Sequence, residues 1–197
     1  MTSRNASIPA AVRRIARPAC LLAAGLVAAC GDPFAIKAQF ANTEFSFYVY
    51  SLSGTPAPKP TALAVQSMNT TRPDGSLSFD VAFDLDAAGN ITLLPVKMVG
   101  LNVSGSRNVG IQKVGGAYGS VTEAPKTGYT IDSVTVVRVG EPVVMQVQTG
   151  YCSTSITPDI YAKMVVDSIA ADRRIWARAL INTNCGFRQL LLGFPSF

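Results

Sequence analysis

The chemistry open to this chain is limited, because its 197 residues include no histidine. A Ser-His-Asp triad, a Cys-His pair and the usual zinc sites therefore cannot be built. Asp80, Asp84 and Asp86 alternate along one predicted strand, which places Asp84 and Asp86 roughly 7 Å apart on one face. A glycosidase can use such a carboxylate pair. Polar positions on a half-exposed sheet give the same spacing without catalysis, and we favour that interpretation.

Two further segments resemble ligand-binding loops only superficially. Asp84–Asn90 has some residues of a calcium loop, but Ala88 stands at the fifth ligand position and Pro95 where a bidentate glutamate belongs. Gly115–Ser120 is rich in glycine but lacks the Lys-Ser/Thr ending of a phosphate loop, and we predict a flexible loop there. We therefore predict no catalytic residue, no metal site and no cofactor.

A partner or ligand surface is the remaining candidate site, and the sequence predicts it near the C-terminus. In the predicted strand 174–182, large polar side chains alternate with apolar ones, so the two sets lie on opposite faces. Tryptophan and arginine are enriched in interface hot spots, and a lone tryptophan can also stack on a sugar. The alternative is a tryptophan that only covers the sheet beneath arginine stems. The predicted surface comprises Arg174, Trp176 and Arg178, with Tyr161 and Lys163 opposite them on the paired strand.

Cys152 and Cys185 are predicted to form a disulfide bond. They are the two cysteines that remain after Cys30. Disulfide bonds form in compartments outside the cytoplasm, and the N-terminal residues of this chain predict its export. The bond would close a loop of about 34 residues and add roughly 3–4 kcal/mol in the chain-entropy model. Two buried free thiols are the alternative, and a catalytic thiol would lack its usual histidine base.

The elements that must position these residues are predicted to be strands, because apolar and polar residues alternate rather than following a helical period. A hairpin is predicted from Phe79–Leu85 and Ile91–Met98, with its turn at Ala87–Asn90. The apolar C-terminal segment, Leu190–Phe197, is expected to pack on the core as a closing strand. Other strands are predicted at 45–50, 109–114, 131–139, 142–151, 160–166 and 174–182.

Many short strands separated by turns, without an amphipathic helix, predict an all-β fold. The expected architecture is a single antiparallel β-sandwich of about 7–9 strands. An immunoglobulin-like variant is favoured over a small barrel, although the tryptophan position and cysteine spacing differ from true immunoglobulin domains.

The first 29 residues are predicted to form a targeting leader. Four arginines and no acid precede a short apolar run and small residues, as in a secretory signal. The end of the run, Val27-Ala28-Ala29-Cys30, resembles the lipobox of bacterial lipoproteins. That resemblance implies cleavage before Cys30, lipid on its amino group and thiol, and a membrane anchor outside the cytoplasm. Gly31 rather than aspartate follows the cysteine, which implies sorting to the outer membrane in a cell that has one.

Two other interpretations of the leader stay open. Small residues also suit an ordinary signal peptidase, which would release the chain without lipid. An uncleaved anchor is the third possibility, but the uncharged stretch 18–31 is shorter than the roughly 20 residues of a transmembrane helix. The lipoprotein interpretation divides the chain into a signal peptide at 1–29, a lipidated tether at 30–43 and a β-domain at 44–197.

Removing the leader also changes the charge of the protein. The first 29 residues hold four of the 17 basic residues and none of the 12 acids, which lowers the net charge from +5 to +1. No basic block remains, so we expect no nucleic-acid partner.

The expected function is therefore that of a membrane-anchored envelope lipoprotein whose non-enzymatic β-domain binds or scaffolds another envelope component. Two alternatives stay open. A glycan hydrolase could use only the carboxylates Asp84 or Asp86, with a raised pKa in a deep pocket. A carbohydrate-binding module would instead use exposed aromatic residues. Its rings would come from Trp176, Tyr48, Tyr118 and Tyr151.

Overall fold

The computed structural model describes residues 36–73, 79–99, 108–150, 152 and 158–196, of which Lys37 onward belongs to one compact unit. The leader, Cys30 and Tyr151 lie outside these residues. Ten strands are present in the described part of the chain, one more than the predicted upper limit. They are β1 (Thr43–Tyr50), β2 (Ala62–Ala64), β3 (Asn69–Thr71), β4 (Val81–Leu85), β5 (Ile91–Pro95), β6 (Val109–Lys113), β7 (Thr135–Val137), β8 (Pro142–Gln148), β9 (Asp159–Ile169) and β10 (Arg174–Asn182).

The strands form two antiparallel five-stranded sheets, which confirms the all-β sandwich. The first sheet has the order β1-β10-β9-β8-β6, and the second has the order β3-β2-β4-β5-β7. Among the described strands the sheets are not closed into a barrel, so the barrel alternative is wrong. Short 3-10 turns occur at Val96–Met98 and Tyr118–Ser120.

The strand order differs from that of an immunoglobulin domain, whose sheets contain strands A-B-E-D and C-F-G. Here β8, β9 and β10 follow one another side by side in the first sheet, while β5 to β8 alternate between the two sheets. The change of sheet between β7 and β8 occurs at Gly140, whose φ of 84° suits glycine. The immunoglobulin-like variant is therefore not the one that forms.

The main core lies between the sheets and follows the predicted alternation. The inward-facing residues of β10, from Ile175 to Ile181, are buried there, as are Phe47 and Val49 of β1. Both faces of β4 are covered, since Ala82 on one face and Phe83 on the other are fully buried, as is Asp80 just before the strand. The carboxylate of Asp80 accepts a hydrogen bond from the backbone N–H of Val65 at 2.6 Å. Asp80 is therefore a structural residue of the core.

The disulfide bond between Cys152 and Cys185 is present, with the two Cα atoms 5.7 Å apart, which confirms the prediction. Both cysteines pack against the main core. The bond therefore holds the segment that follows β10 to the body of the sandwich.

Candidate functional site

The outer face of the first sheet, which points away from the main core, is divided into two halves. One half is covered by residues 114–125, here called the covering loop. Tyr118, Val121 and Ala124 of this loop form a second apolar cluster on the sheet. The sheet contributes Val144, Tyr161, Val165 and Leu180, and Leu190 completes the cluster.

Lys163 of β9 holds the covering loop in place. Its ammonium group is buried and donates to the backbone carbonyls of Val121 at 2.8 Å and Tyr118 at 3.3 Å. It also lies 4.7 Å from the centre of the Tyr118 ring. Burial lowers the pKa of Lys163, while the nearby charge of Glu44 acts in the opposite direction. The segment predicted to be a flexible loop is thus a fixed cover.

The other half of this face is open, and it presents three of the residues named from the sequence. Tyr48 of β1 pairs across the sheet with Trp176 of β10. Their rings lie 5.2 Å apart between centroids at an interplanar angle of 53°. Tyr48 and Trp176 are 42% and 40% exposed, whereas Tyr118 and Tyr161 in the covered half are buried. We call Tyr48, Arg174 and Trp176 the open aromatic surface.

Arg174 completes the open aromatic surface. Its guanidinium carbon lies 5.3 Å from the centroid of the Trp176 ring and 5.8 Å from that of Tyr48. It also pairs with Asp172 at 3.6 Å. The surface therefore combines two aromatic rings with a cation that already has one carboxylate beside it.

Arg178 marks the boundary between the two halves. Its guanidinium carbon lies 4.9 Å from the centroid of the buried Tyr118 ring, and its Nε lies 3.2 Å from the carboxylate of Asp167. Asp167 is available for this pair because the register of β9 and β10 shifts between Trp176 and Ala177. Arg178 belongs to the predicted surface, but part of its contact is with the covering loop.

Tyr161 does not belong to an exposed surface, so that part of the prediction is wrong. It lies on the expected face of β9, but it pairs with Asn182 at the covered end and is only 5% exposed. Tyr118, another proposed carbohydrate contact, is buried as well and donates to Glu44 at 2.9 Å. Burial raises the pKa of both tyrosines. Of the proposed sugar-binding rings, Tyr48 and Trp176 are therefore the exposed pair among the described residues.

The carboxylates proposed for catalysis are held as hydrogen-bond acceptors. Burial alone would raise the pKa of Asp84, but hydrogen bonds from Ser51, Ser53 and Leu85 outweigh it and leave the pKa below its ordinary value. The pKa of Asp86 is also lowered, chiefly because the side chain and backbone of Asn90 donate to it in the turn. A glycan hydrolase needs one carboxylate with a raised pKa. These two carboxylates do not meet that requirement.

Sequence reasoning missed a cluster of three asparagines where the chain enters the domain. The side-chain oxygen of Asn184 accepts from the backbone N–H groups of Gln39 at 2.7 Å and Phe40 at 2.9 Å. Its amide nitrogen donates to the backbone carbonyl of Phe40 at 2.8 Å. Asn182 in turn accepts from Asn184, and Asn42 donates to the carbonyls of Gln189 and Leu191. The domain therefore holds the chain from Gln39, within the predicted tether. Isolated asparagines gave no signal in the sequence.

No metal or membrane-spanning site adds to this picture within the described ranges. The His, Cys, Asp and Glu residues described there form no group of three or more that could hold a metal ion. In the same part of the chain, no helix has the length and apolar character needed to cross a bilayer.

The chain matches no protein-family model, and neither the curated proteins nor the solved structures gave a match.

Proposed function

We propose that the protein is a lipid-anchored component of a bacterial cell envelope whose β-domain binds another envelope protein through the open aromatic surface. The anchor is inferred from the leader, which ends in Val27-Ala28-Ala29-Cys30. The disulfide bond is consistent with a compartment outside the cytoplasm. The observation that carries the binding proposal is the exposed Tyr48–Trp176 pair beside Arg174, on a face whose other half is closed.

The chemistry of the open aromatic surface favours a protein partner over a glycan. Tryptophan, tyrosine and arginine are the residues most enriched in the energetic centres of protein interfaces. A sugar platform needs a ring face free for stacking, whereas Arg174 lies over both rings and the rings are tilted by 53°. A partner that offers an apolar side chain and a carboxylate would match this arrangement better than a flat sugar ring.

Catalysis is the weaker alternative because the carboxylates of Asp84 and Asp86 both have lowered pKa values. The lowered pKa of each keeps it ionised at neutral pH, so neither is suited to donate a proton. Asp84 also pairs with Arg173 at 3.8 Å and accepts from two serines. These contacts fix the β1–β2 connection to the β4 strand, which is a structural role.

Photocrosslinking from inside the cell tests the binding proposal. A photoreactive amino acid is placed at position 48, at 176 or at 136 in the full chain, in the bacterium that carries the gene. Val136 is the matched control, since it is 44% exposed on β7 of the other sheet. We expect the same protein adduct from positions 48 and 176 but not from 136, with a lower yield after Arg174→Ala. Equal adducts from all three positions, or none, would contradict the proposal, and a glycan adduct would favour carbohydrate binding.

The anchor requires its own experiment. Cys30→Ala should abolish incorporation of labelled fatty acid and leave an unprocessed precursor, because the lipoprotein peptidase cuts before a lipid-bearing cysteine. Metabolic labelling followed by gel analysis of both proteins provides the measurement. Normal processing of the Cys30→Ala protein would show that ordinary secretion applies instead.

A further inference from the structure

The three most exposed large apolar side chains among the described residues belong to two segments that a backbone bridge joins where the tether enters the domain. Leu192 and Phe194 are each 70% exposed and Phe40 is 59% exposed. They stand on the two sides of one backbone bridge, in which the N–H of Asn42 donates to the carbonyl of Gly193 at 2.7 Å. The C-terminal segment was predicted to pack on the core, but only part of it does so.

Hydrogen bonds to the domain hold the backbone that carries Leu192 and Phe194. Leu190 is fully buried, and its N–H donates to the carbonyl of Thr122 at 2.7 Å. Beyond it, Asn42 binds the carbonyl of Leu191, and the N–H of Ser196 donates to the side chain of Gln189 at 2.9 Å. The backbone is therefore held while its largest apolar side chains point away from the core. An ordered segment with such exposure is typical of an interaction site.

The number of residues between Cys30 and the domain limits how far these side chains can lie from a membrane that holds the lipid. Gln39, whose backbone N–H donates to Asn184 of the domain, follows Cys30 by nine residues. Nine residues reach at most roughly 30 Å, whatever their conformation. A lipid on Cys30 would therefore keep Phe40 within roughly 30 Å of the bilayer surface, close enough for it to reach the lipid.

The charge beside these side chains also suits a membrane surface. A cleft of about 460 Å³ next to Leu191 and Ser196 is lined by Lys126, Arg188 and Glu123, among other residues. Arg188 pairs with Glu123, which leaves the cleft with an excess positive charge from Lys126. One lysine near an anionic membrane surface adds about 1 kcal/mol of attraction, so the apolar side chains would provide most of the binding.

We infer that Phe40, Leu192 and Phe194 form a second membrane contact, which inserts into the outer part of the bilayer and orients the domain. This inference rests on the proposed lipid anchor at Cys30. Tyr48 lies six residues beyond Asn42 along β1, which places the open aromatic surface roughly 20 Å from the contact. The domain then stands with that surface clear of the lipid and open to a partner.

Tryptophan quenching in vesicles tests this orientation, because the natural chain has a single tryptophan, Trp176. The lipidated protein is reconstituted into vesicles of phosphatidylethanolamine, phosphatidylglycerol and a lipid with brominated acyl chains. It is compared with a protein that carries Phe194→Trp and Trp176→Phe. We expect bromine to quench the tryptophan at position 194 at least about threefold more strongly than the natural one, since interfacial side chains reach the acyl region. Leu192→Trp in the same background provides a second reporter.

Flotation of the vesicles separates the two ways in which this experiment can fail. If the protein floats with the vesicles but positions 192 and 194 are quenched no more than Trp176, the membrane contact is overturned. Intermolecular crosslinks from position 192 in that sample would assign the side chains to a second copy of the chain. A protein that does not float with the vesicles would contradict the anchor itself, and the inference with it.

Discussion

The covered and open halves of the first sheet's outer face are built from the same β10 strand, yet their surroundings are opposite. Leu180 is buried beneath the covering loop, while Trp176, four residues earlier on the same face, is 40% exposed. The alternation of β10 puts both residues on this face, but a loop more than 50 residues earlier in the chain determines which one meets solvent. The exposure of Trp176 therefore depends on where the covering loop ends and not on the sequence of β10 alone.

The largest expected effect comes from truncating one side chain in each half. Leu180→Ala should lower the free energy of unfolding by roughly 2–5 kcal/mol, because it leaves a cavity under the covering loop. Trp176→Ala should cost no more than about 1 kcal/mol, since the side chain is partly in solvent. Urea unfolding of both variants provides the measurement. Similar losses for the two variants would remove the distinction between the halves.

Alkaline pH should weaken the covered half. Burial raises the pKa values of Tyr118, Tyr129 and Tyr161 in the folded protein. The stability that these groups contribute is fully present below pH 10 and is lost as the pH rises above it, because only the unfolded chain then loses these protons. Each tyrosine adds a slope of up to about 1.4 kcal/mol per pH unit. Unfolding curves between pH 8 and pH 11 would measure the loss.

Lys163 provides the internal control for this pH dependence. Burial lowers its pKa, so its contribution to stability increases as the pH rises from the folded pKa toward 10.5. The Lys163→Met protein should therefore lose stability more steeply with pH than the natural protein. A slope that Tyr129→Phe leaves unchanged would show that the buried tyrosines do not carry the effect.

The smallest expected effect lies within the open aromatic surface. A double-mutant cycle of Tyr48→Ala and Trp176→Ala should give a coupling energy of about 0.5–1 kcal/mol, the lower part of the range for an aromatic pair in contact, because both rings are partly in solvent. Additive effects within about 0.3 kcal/mol would mean that the two rings do not act as one surface.

Local patterns predicted much of the fold, because they fix features that depend on neighbouring residues. The β4–β5 and β9–β10 hairpins and the two faces of β10 follow from alternation and turn residues. The disulfide bond was predicted from the export expected of the leader and from the even number of cysteines after Cys30, and it is present. By contrast, β2 and β3 have three residues each, too few for a periodic pattern.

The remaining features depend on contacts between distant residues. Tyr161 was assigned to the correct strand but not to its covered end, because the cover comes from Tyr118 and its neighbours. The glycine-rich segment that contains Tyr118 becomes ordered only through Lys163. Trp176 and Arg174 were proposed as surface residues from the sequence, whereas only the pairing of β1 with β10 brings Tyr48 beside them.

The most direct test of the central claim compares crosslinking from the two halves of this one face. A photoreactive amino acid at position 176 samples the open half, and one at Ser120, an exposed residue of the covering loop, samples the covered half. We expect position 176 of the lipidated protein to yield a defined protein adduct in cells, and position 120 to yield little or none. The same adduct in equal yield from both positions would contradict the claim that the open half is the binding surface.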